Sequence, residues 1–197
     1  GIASAGEKVE DGIEPLTNAP IYSLYGKQKK PTPQMLRELD VLIFDIQDIG
    51  VRYYTYLSTL TYIMEAAAEI GIPVLVLDRM NPMGGEVEGP MLEKDFKSFV
   101  GMHTIPIRHG MSLGELAQMI NGERWLENGI QADLSIIRYV GKDDKKVRVN
   151  AFNPPPSPNM RDLETAWLYQ GLCLLEGTNL SEGRGTMTPF KLLGAPW

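Results

Sequence analysis

The stretch VLIFDIQDIGVRYYTYLSTLTYIMEAAAEIGIPVLVLD, residues 41–78, decides the fold. It begins with an almost continuously apolar run at 41–46 and ends with a second one at 72–78. Apolar runs of this length predict strands of a parallel sheet that are covered on both faces. Between them, apolar side chains recur at helical spacing near 55–70, and Gly71 is placed to end that helix. A strand, a helix and a second strand form a right-handed βαβ unit, so we predict that the two strands pair in parallel.

Helices and strands continue to alternate along the rest of the chain. Thr32 followed by Pro33 is typical of a helix start, and Ser112 and Glu115 stand at the spacing of a capping box. Residues 132–140 form a third candidate strand. The pattern predicts an α/β fold with a mostly parallel sheet and helices on both of its faces.

A last helix is predicted at about 162–175. It follows a proline-rich segment at 153–160, where missing N–H donors exclude a helix or a central strand. We expect its core-facing side chains to be Leu163, Trp167 and Leu174. The one cysteine of the chain, Cys173, lies in the apolar run GLCLLEG, which favours an inaccessible hydrophobic residue over a nucleophile.

Composition narrows the classes of function. The 197 residues are 43% hydrophobic, which indicates a globular chain, and their net charge of −6 disfavours a nucleic-acid partner. No apolar stretch is long enough to predict a membrane span. His103 and His109 do not form a zinc pattern, and the dinucleotide and P-loop glycine motifs are missing, so we expect neither a metal nor a cofactor. His109 is either a site residue or a brace for its loop.

Polar side chains follow both strands of the central βαβ unit. In open α/β sheets, ligands bind outside the carboxyl ends of the strands, so these side chains should share one rim. They are Asp45, Gln47, Asp48, Arg52 and Tyr54 after the first strand, and Asp78, Arg79, Asn81, Glu86 and Glu88 after the second. Single members can also be structural, since an Asp48–Arg52 pair would brace the loop and Asp78 with Arg79 would cap the next element.

A second polar cluster lies in LLEGTNLSEGRGTMTPF, residues 174–190. Its functional groups are those of Glu176, Asn179, Glu182 and Arg184. Carboxylates, carboxamides and guanidinium groups hold polyhydroxylated ligands, and paired carboxyls supply the acid and base of glycosidic cleavage. Two other interpretations stay open at this point, a solvated turn with a Glu182–Arg184 pair and a phosphate-ester or nucleotide enzyme that uses EGRGT.

Five blocks of the sequence together resemble the bacterial exo-β-N-acetylmuramidase family, formerly catalogued as a domain of unknown function. They are VLIFDIQDIGVRYYTYLSTL, VLVLDRMNPMGGEVEGPMLE, IPIRHGMSLGELAQMING, PPSPNM and LLEGTNLSEGRGTMTPFKLLGAPW. The resemblance implies a Rossmann-like α/β domain, a smaller C-terminal domain and a cleft between them. It also implies release of N-acetylmuramic acid from the non-reducing end of peptidoglycan fragments by an exported, periplasmic or extracellular, protein. A non-catalytic carbohydrate-binding module is the alternative.

The resemblance and the rim pattern together predict the site residues. Asp48 and Glu182 are the predicted catalytic residues. The predicted substrate-binding residues are Gln47, Arg52, Tyr54, Arg79, Asn81, Glu88, Asn159, Glu176, Asn179 and Arg184. The family also carries an upstream Glu-His-Gly segment that this sequence lacks, so the identity of the general acid and base stays open.

The resemblance has consequences for domain organisation as well. We expect residues 1–197 to form one Rossmann-like domain of catalytic type that lacks the first strand and motif of the family. The smaller C-terminal domain is expected to be absent. Arg161 and Gln170 stand where the family carries prolines, so the resemblance does not define the loop shape around Asn159.

Overall fold

The computed structural model describes residues 10–139, 152 and 154–196. Its strands and helices are, in chain order, β1 (Gly12–Ile13), β2 (Pro20–Ile21), α1 (Pro33–Leu36), β3 (Leu42–Phe44), α2 (Tyr56–Ile70), β4 (Val74–Leu77), β5 (Glu88–Met91), β6 (Pro106–Arg108), α3 (Leu113–Gly122), β7 (Leu134–Ile137) and α4 (Leu163–Leu172). Short 3-10 helices lie at Lys94–Phe96, Glu127–Gly129 and Cys173–Gly177. None of the helices in the described ranges combines the length and apolar character that a membrane crossing needs.

A parallel sheet in the order β3-β4-β7 forms the centre of the structure. Leu42 pairs with Val74, which in turn pairs with Leu134. The predicted α/β class and the parallel βαβ unit are therefore confirmed, with α2 as the connection between β3 and β4. The third candidate strand is present as β7, although residue 140 of its predicted range lies outside the described residues. Two antiparallel pairs, β1-β2 and β5-β6, lie apart from this sheet.

Local signals set the ends of the helices. Gly71 has a left-handed φ of 77° at the end of α2, and its N–H donates to the carbonyl of Ala67. Ser112 and Glu115 form the predicted capping box at the start of α3. Both predictions are confirmed. They could be made from the sequence because capping depends on only a few neighbouring residues and not on the rest of the fold.

The central sheet buries one face more than the other. Phe44, Val74 and Val76 are buried in a core shared with the apolar sides of α2 and α3. On the opposite face, Ile43 is 58% exposed and Ile137 is 54% exposed. The prediction that both strands are covered on both faces is thus wrong for β3, where Ile43 is exposed, whereas Leu75 and Leu77 on that face of β4 are partly buried. An apolar run shows which side chains can be buried but not what covers them.

Helix α4 packs through a different side from the predicted one. Ala166 and Tyr169 are buried, whereas Trp167 is 46% and Leu174 is 61% exposed, so the core placement of these last two residues was wrong. The apolar residues of this helix are spread around its whole circumference, so their spacing does not indicate which side is buried. Cys173, directly after α4, is only partly buried, so the prediction that it is inaccessible was also wrong.

A second apolar cluster joins distant parts of the chain. It contains residues from the loop after β3, from α4 and from the terminal segment, namely Ile49, Val51, Met83, Phe152, Met160, Ala166, Tyr169 and Phe190. Because this cluster fastens the terminal segment to the loop that leaves β3, it brings the two polar clusters of the sequence to the same part of the molecule.

Candidate active site

Asp48 lies in the loop that leaves the carboxyl end of β3, and its side chain is buried. Oδ2 accepts a hydrogen bond of 2.8 Å from the N–H of Gly50. The buried Oδ1 has no hydrogen-bond partner among the described residues. Burial raises the pKa of Asp48 to about 7, against the opposing effect of backbone N–H groups at Gly50 and Ile49. This carboxyl can therefore take up and release a proton near neutral pH, as general acid–base catalysis requires.

His109 faces the Asp48 carboxyl. Its Nε2 lies 3.8 Å from Asp48 Oδ2, and its Nδ1 accepts a hydrogen bond of 3.3 Å from the N–H of Met111. Burial lowers the pKa of His109 to about 4, so the ring is neutral at neutral pH. A neutral ring that accepts at Nδ1 carries its proton on Nε2, the nitrogen nearest Asp48. The imidazole thus braces its own loop and also contacts the carboxyl.

A cavity of about 10 Å³ adjoins Asp48. It is lined by Ile46, Asp48, Arg79, Met80, Asn81, Met111, Ser112 and Leu113. A cavity of this size has room for about one water molecule. Arg79, one of the predicted binding residues, is held at this cavity by an ion pair with Asp45.

Two predicted binding residues use their polar groups to connect loops. Gln47 Nε2 donates to the carbonyl of Asp48 at 2.7 Å and to that of Met80 at 3.2 Å. Asn81 Nδ2 donates to the carbonyl of Met111 at 3.0 Å, and its Oδ1 accepts from the N–H of Met83 at 2.9 Å. These bonds tie together the loops that follow β3 and β4, and they fix the backbone around Asp48.

Glu88 begins strand β5, and Arg52, from the loop after β3, contacts the β5-β6 ribbon through its N–H, which donates to the carbonyl of Ile107 at 2.8 Å. Arg52 Nη1 donates to the carbonyls of Pro90, at 2.9 Å, and Ile105, so the predicted Asp48–Arg52 pair does not form. Oε2 of Glu88 lies 2.7 Å from Nη1 of the buried Arg108. The guanidinium of Arg108 lies 4.8 Å from the ring centre of Trp167. This stacking explains why an exposed tryptophan stands on α4.

Asp78 has the capping role that the sequence left open. Its Oδ1 accepts from the N–H of Gly114 at 2.8 Å, and its Oδ2 accepts from the hydroxyl of Ser112 at 2.6 Å. Since Asp78 directly follows β4, this carboxylate connects the end of the strand to the start of α3. Gly114 has to be glycine here, because a Cβ would lie 2.6 Å from the Asp78 carboxyl carbon.

In the terminal segment, Arg184 lies between two carboxylates. Its Nε is 3.0 Å from Oε1 of the buried Glu182, and its Nη2 is 2.6 Å from Oε1 of Glu176. The guanidinium also lies 5.0 Å from the ring centre of Phe190. Asn179, in contrast, is exposed. Glu182 is therefore not on a solvated turn, since its buried carboxylate has the cationic partner that such a position requires.

Aromatic contacts connect the Asp48 loop to the terminal segment. The ring centres of Tyr54 and Tyr169 are 6.0 Å apart, and those of Tyr169 and Phe190 are 4.9 Å apart. Both pairs are edge-to-face, the favoured geometry of aromatic rings. The buried hydroxyl of Tyr54 lies near those of Ser157 and Tyr56, but it makes no hydrogen bond of normal geometry among the described residues.

The residues that replace family prolines also make contacts. Arg161 Nε donates to the carbonyl of Pro158 at 3.2 Å, and its Nη1 donates to that of Met187 at 3.3 Å. Gln170 accepts from the hydroxyl of Tyr53 through its backbone carbonyl. Asn159 is half-buried in the turn at 157–160, where the N–H of Met160 donates to the carbonyl of Ser157 at 2.9 Å. Arg161 therefore ties this turn to the terminal segment.

The parallel sheet, with a buried titratable carboxyl at its carboxyl edge, defines an α/β protein with an enzyme-like site. Sequence comparison gives the family. The profile of the exo-beta-N-acetylmuramidase NamZ N-terminal domain matches residues 1–164, and that of the NamZ C-terminal domain matches residues 167–197. The chain belongs to this family.

Individual relatives agree with this assignment. The chain is 50% identical over 204 residues to the peptidoglycan beta-N-acetylmuramidase NamZ of Bacillus subtilis strain 168, a match that covers 100% of this chain and 47% of the relative. The chain thus spans about half the length of the curated relative that it matches.

Two solved structures of DUF1343 family proteins from Bacteroides fragilis share the fold. One is 43% identical with a TM-score of 0.83 and covers 93% of this chain and 50% of its own. The other is 40% identical with a TM-score of 0.85 and covers 94% of this chain and 49% of its own. At these identities the likeness extends to the sequence as well as the backbone.

Proposed function

We propose that the protein carrying this chain is a glycoside hydrolase that releases N-acetylmuramic acid from the non-reducing end of peptidoglycan fragments. The observation that carries the proposal is the buried Asp48 carboxyl at the carboxyl edge of the sheet, with one oxygen unpartnered among the described residues. Membership of the NamZ family and the 50% identity to a muramidase support the choice of substrate. Because peptidoglycan lies outside the cytoplasmic membrane, we propose that the protein is exported.

Asp48 supplies the proton-transfer group of this proposal. With a pKa raised to about 7, both its protonated and its ionised forms are present near neutral pH. The protonated form can donate to a glycosidic oxygen, and the ionised form can accept a proton from water. Either role uses Oδ1, since Oδ2 is engaged by the N–H of Gly50.

Glu182 supplies the second carboxyl. It is buried next to Arg184, and the aromatic contacts from Tyr54 to Tyr169 and Phe190 connect its segment to the Asp48 loop. Glu176, Asn179 and Arg184 have exposed polar groups on the same segment, where sugar hydroxyls and the carboxylate of N-acetylmuramic acid can bind. The proposed site therefore combines two buried acidic groups with an exposed polar edge.

The test is turnover of a chromogenic muramide by the intact protein. Asp48→Asn and Glu182→Gln should each lower kcat by about 100-fold or more, the usual effect of losing an acid–base group. Asp95→Asn, which changes an exposed carboxylate in the 3-10 helix at Lys94–Phe96, is the matched control and should keep full activity.

The outcomes separate the proposal from its alternatives. Near-normal turnover in both site variants would overturn the assignment of the site. Binding of muramide fragments by the intact wild-type protein without any turnover, measured by calorimetry, would instead indicate a carbohydrate-binding module. A rise in melting temperature with nucleotides but not with muramides would favour the phosphate-ester alternative.

A further inference from the structure

We propose that His109 is a positioning residue for Asp48: its Nε2–H lies 3.8 Å from Oδ2 of the carboxyl in this structure and closes to a hydrogen bond in the working site, so that Oδ1 is left for the reacting atoms. This inference rests on the proposed function, because it assigns a role within the same site. It concerns a residue that the sequence pattern alone left undecided between a site residue and a loop brace.

The first argument is the direction of the ring. The N–H of Met111 donates to Nδ1 of His109 at 3.3 Å, which leaves Nε2 as the protonated nitrogen of the neutral ring. Nε2 lies 3.8 Å from Asp48 Oδ2. At that distance the contact is electrostatic, and a shift of about 1 Å would shorten it to a hydrogen bond. The backbone of the 109–111 turn thus sets the tautomer that Asp48 needs.

The second argument is the asymmetry of the Asp48 carboxyl. Oδ2 has two groups directed at it, the N–H of Gly50 at 2.8 Å and the imidazole of His109. Oδ1 is buried and has no partner among the described residues. A buried polar atom without a partner costs about 1–3 kcal/mol, so its presence in a native structure calls for a functional explanation. Holding Oδ2 fixes which oxygen exchanges the proton.

The third argument is that the other described titratable groups near the Asp48 carboxyl are either neutral or already paired. Besides His109, the titratable groups near Asp48 in the described ranges are Tyr54, Tyr56 and Arg79. Burial raises the pKa of both tyrosines above the ordinary value, so both hydroxyls stay neutral at neutral pH. Arg79 is already paired with Asp45. His109 is therefore the neutral donor, among these described side chains, whose Nε2 lies 3.8 Å from the Asp48 carboxyl.

The main experiment measures kcat/KM against pH for the intact protein and three variants. His109→Phe removes the donor, and we expect it to move the pH limb of Asp48 upward by about one unit and to lower kcat about tenfold. His109→Gln keeps an N–H donor near the position of Nε2, and its limb should stay close to that of the wild type.

His103→Phe is the control for losing a buried imidazole. His103 is also buried, and its pKa is also lowered to about 4 by burial, but its ring contacts Thr61 and Trp125. This variant should lose stability without moving the pH limb. A limb that moves equally in His103→Phe and His109→Phe would overturn the proposal, because the effect would then be general destabilisation.

A second measurement does not depend on turnover. Titration of the Asp48 side-chain carboxyl by ¹³C NMR in the intact protein should show a higher midpoint in His109→Phe than in the wild type and in His109→Gln. An unchanged midpoint in His109→Phe overturns the role of His109, even where Asp48→Asn is inactive and the proposed function stands. If the wild type cleaves no muramide but the midpoint moves as expected, the contact is real and the proposed function is what fails.

Discussion

At the scale of single residues, Asp48 is kept in its position at a cost to stability. Its carboxyl is buried, and one oxygen has no partner among the residues that the structure describes. Burial raises its folded-state pKa from 3.8 to about 7. Between these two values the folded protein keeps a proton that the unfolded chain releases, so stability falls as the pH rises through about 7. A residue with this property is expected at a working site rather than in a structural core.

The stability of Asp48→Asn tests this cost. Asparagine imitates the protonated acid at every pH, so the variant should gain stability over the wild type as the pH rises. From pH 5 to pH 8 the gain should grow by about 3 kcal/mol, as linkage predicts for one group with a pKa near 7. Urea unfolding at both pH values measures it, with the exposed Asp95→Asn as the control. Parallel stability curves for Asp48→Asn and wild type would contradict the raised pKa.

Gly50 allows the close approach of the Asn81 side chain to the Asp48 loop. Its φ is +81°, and a Cβ at this position would lie 2.1 Å from Asn81 Oδ1. Gly50→Ala should therefore lower the free energy of unfolding by about 3 kcal/mol or more, from backbone strain and a steric clash together. Gly71→Ala is the matched control, since Gly71 has a φ of +77° but open space around its Cβ position, and it should lose only about 1–2 kcal/mol. Equal losses in urea unfolding would mean that the clash relaxes at little cost.

At the scale of elements, the start of α3 is held by contacts from both sides. Ser112 caps the N–H of Glu115 at 3.2 Å and donates its hydroxyl to Asp78 at the end of β4. One hydroxyl thus serves the helix and the sheet edge together. The loop that leads from β6 into α3 carries His109 and Met111. The position of the imidazole therefore depends on the connection between Ser112 and Asp78.

Ser112→Ala should lower the free energy of unfolding by about 1–2 kcal/mol, since it removes a helix cap and leaves a carboxylate oxygen without its donor. Amide hydrogen exchange in the first turn of α3 should accelerate by a matching factor. Thr32→Ala removes the cap of α1, a helix of 4 residues, through a bond of 3.4 Å, and should cost less than about 0.5 kcal/mol. If the two variants lose the same stability, the link to Asp78 contributes nothing beyond capping.

The elements that could be predicted from sequence are those set by short-range signals. The apolar runs at 41–46 and 72–78 contain β3 and β4, and Gly71 and Ser112 mark helix ends in the sequence itself. The packing side of α4 could not be predicted, because the reason for an exposed Trp167 is the buried Arg108 of a distant strand. Periodicity contains no information about such a partner.

The sequence predicts one rim for the polar residues that follow β3 and β4, and Asp48, Arg79 and Asn81 do line one cavity, but the sequence does not distinguish the roles of these residues. Gln47, Asn81 and Arg52 have the chemistry of ligand-binding groups, yet their polar atoms bond backbone carbonyls and N–H groups of neighbouring loops. The closeness of His109 to Asp48 could not be predicted, because it depends on where the segment after β6 lies in the fold and not on spacing in the sequence. Its place just before the capping box was the only signal that could have pointed to it.

At the scale of the whole molecule, the second apolar cluster holds the two polar clusters together. Phe190 is buried at 1% exposure and contacts Tyr169 edge to face, although its φ of 60° is unusual for a bulky residue. The N–H of Phe190 also donates to the carbonyl of Glu182 at 2.7 Å. The position of Glu182 thus depends on whether Phe190 stays in the core.

Phe190→Ala should release the terminal segment from the Asp48 loop. The loss of stability should be about 3–5 kcal/mol if the segment unfolds with the rest of the molecule. If it detaches alone, protease cleavage within 178–196 should accelerate while the central sheet stays protected in hydrogen exchange. Leu193→Ala changes a 62% exposed side chain of the same segment and should alter neither measurement. Unchanged cleavage in Phe190→Ala would show that the segment is held by other contacts.

Helix α4 bears on how this family can diversify. The two family profiles meet between residues 164 and 167, and α4 (Leu163–Leu172) runs through that junction without a break. Tyr169 and Phe190, beyond the junction, share a core with Ile49 and Val51, before it. Recombination between relatives at this junction would separate residues that must fit one another sterically. Substitutions on one side of the junction should therefore be accompanied by compensating substitutions on the other side. The two halves should evolve as one unit, although each is matched by its own family profile.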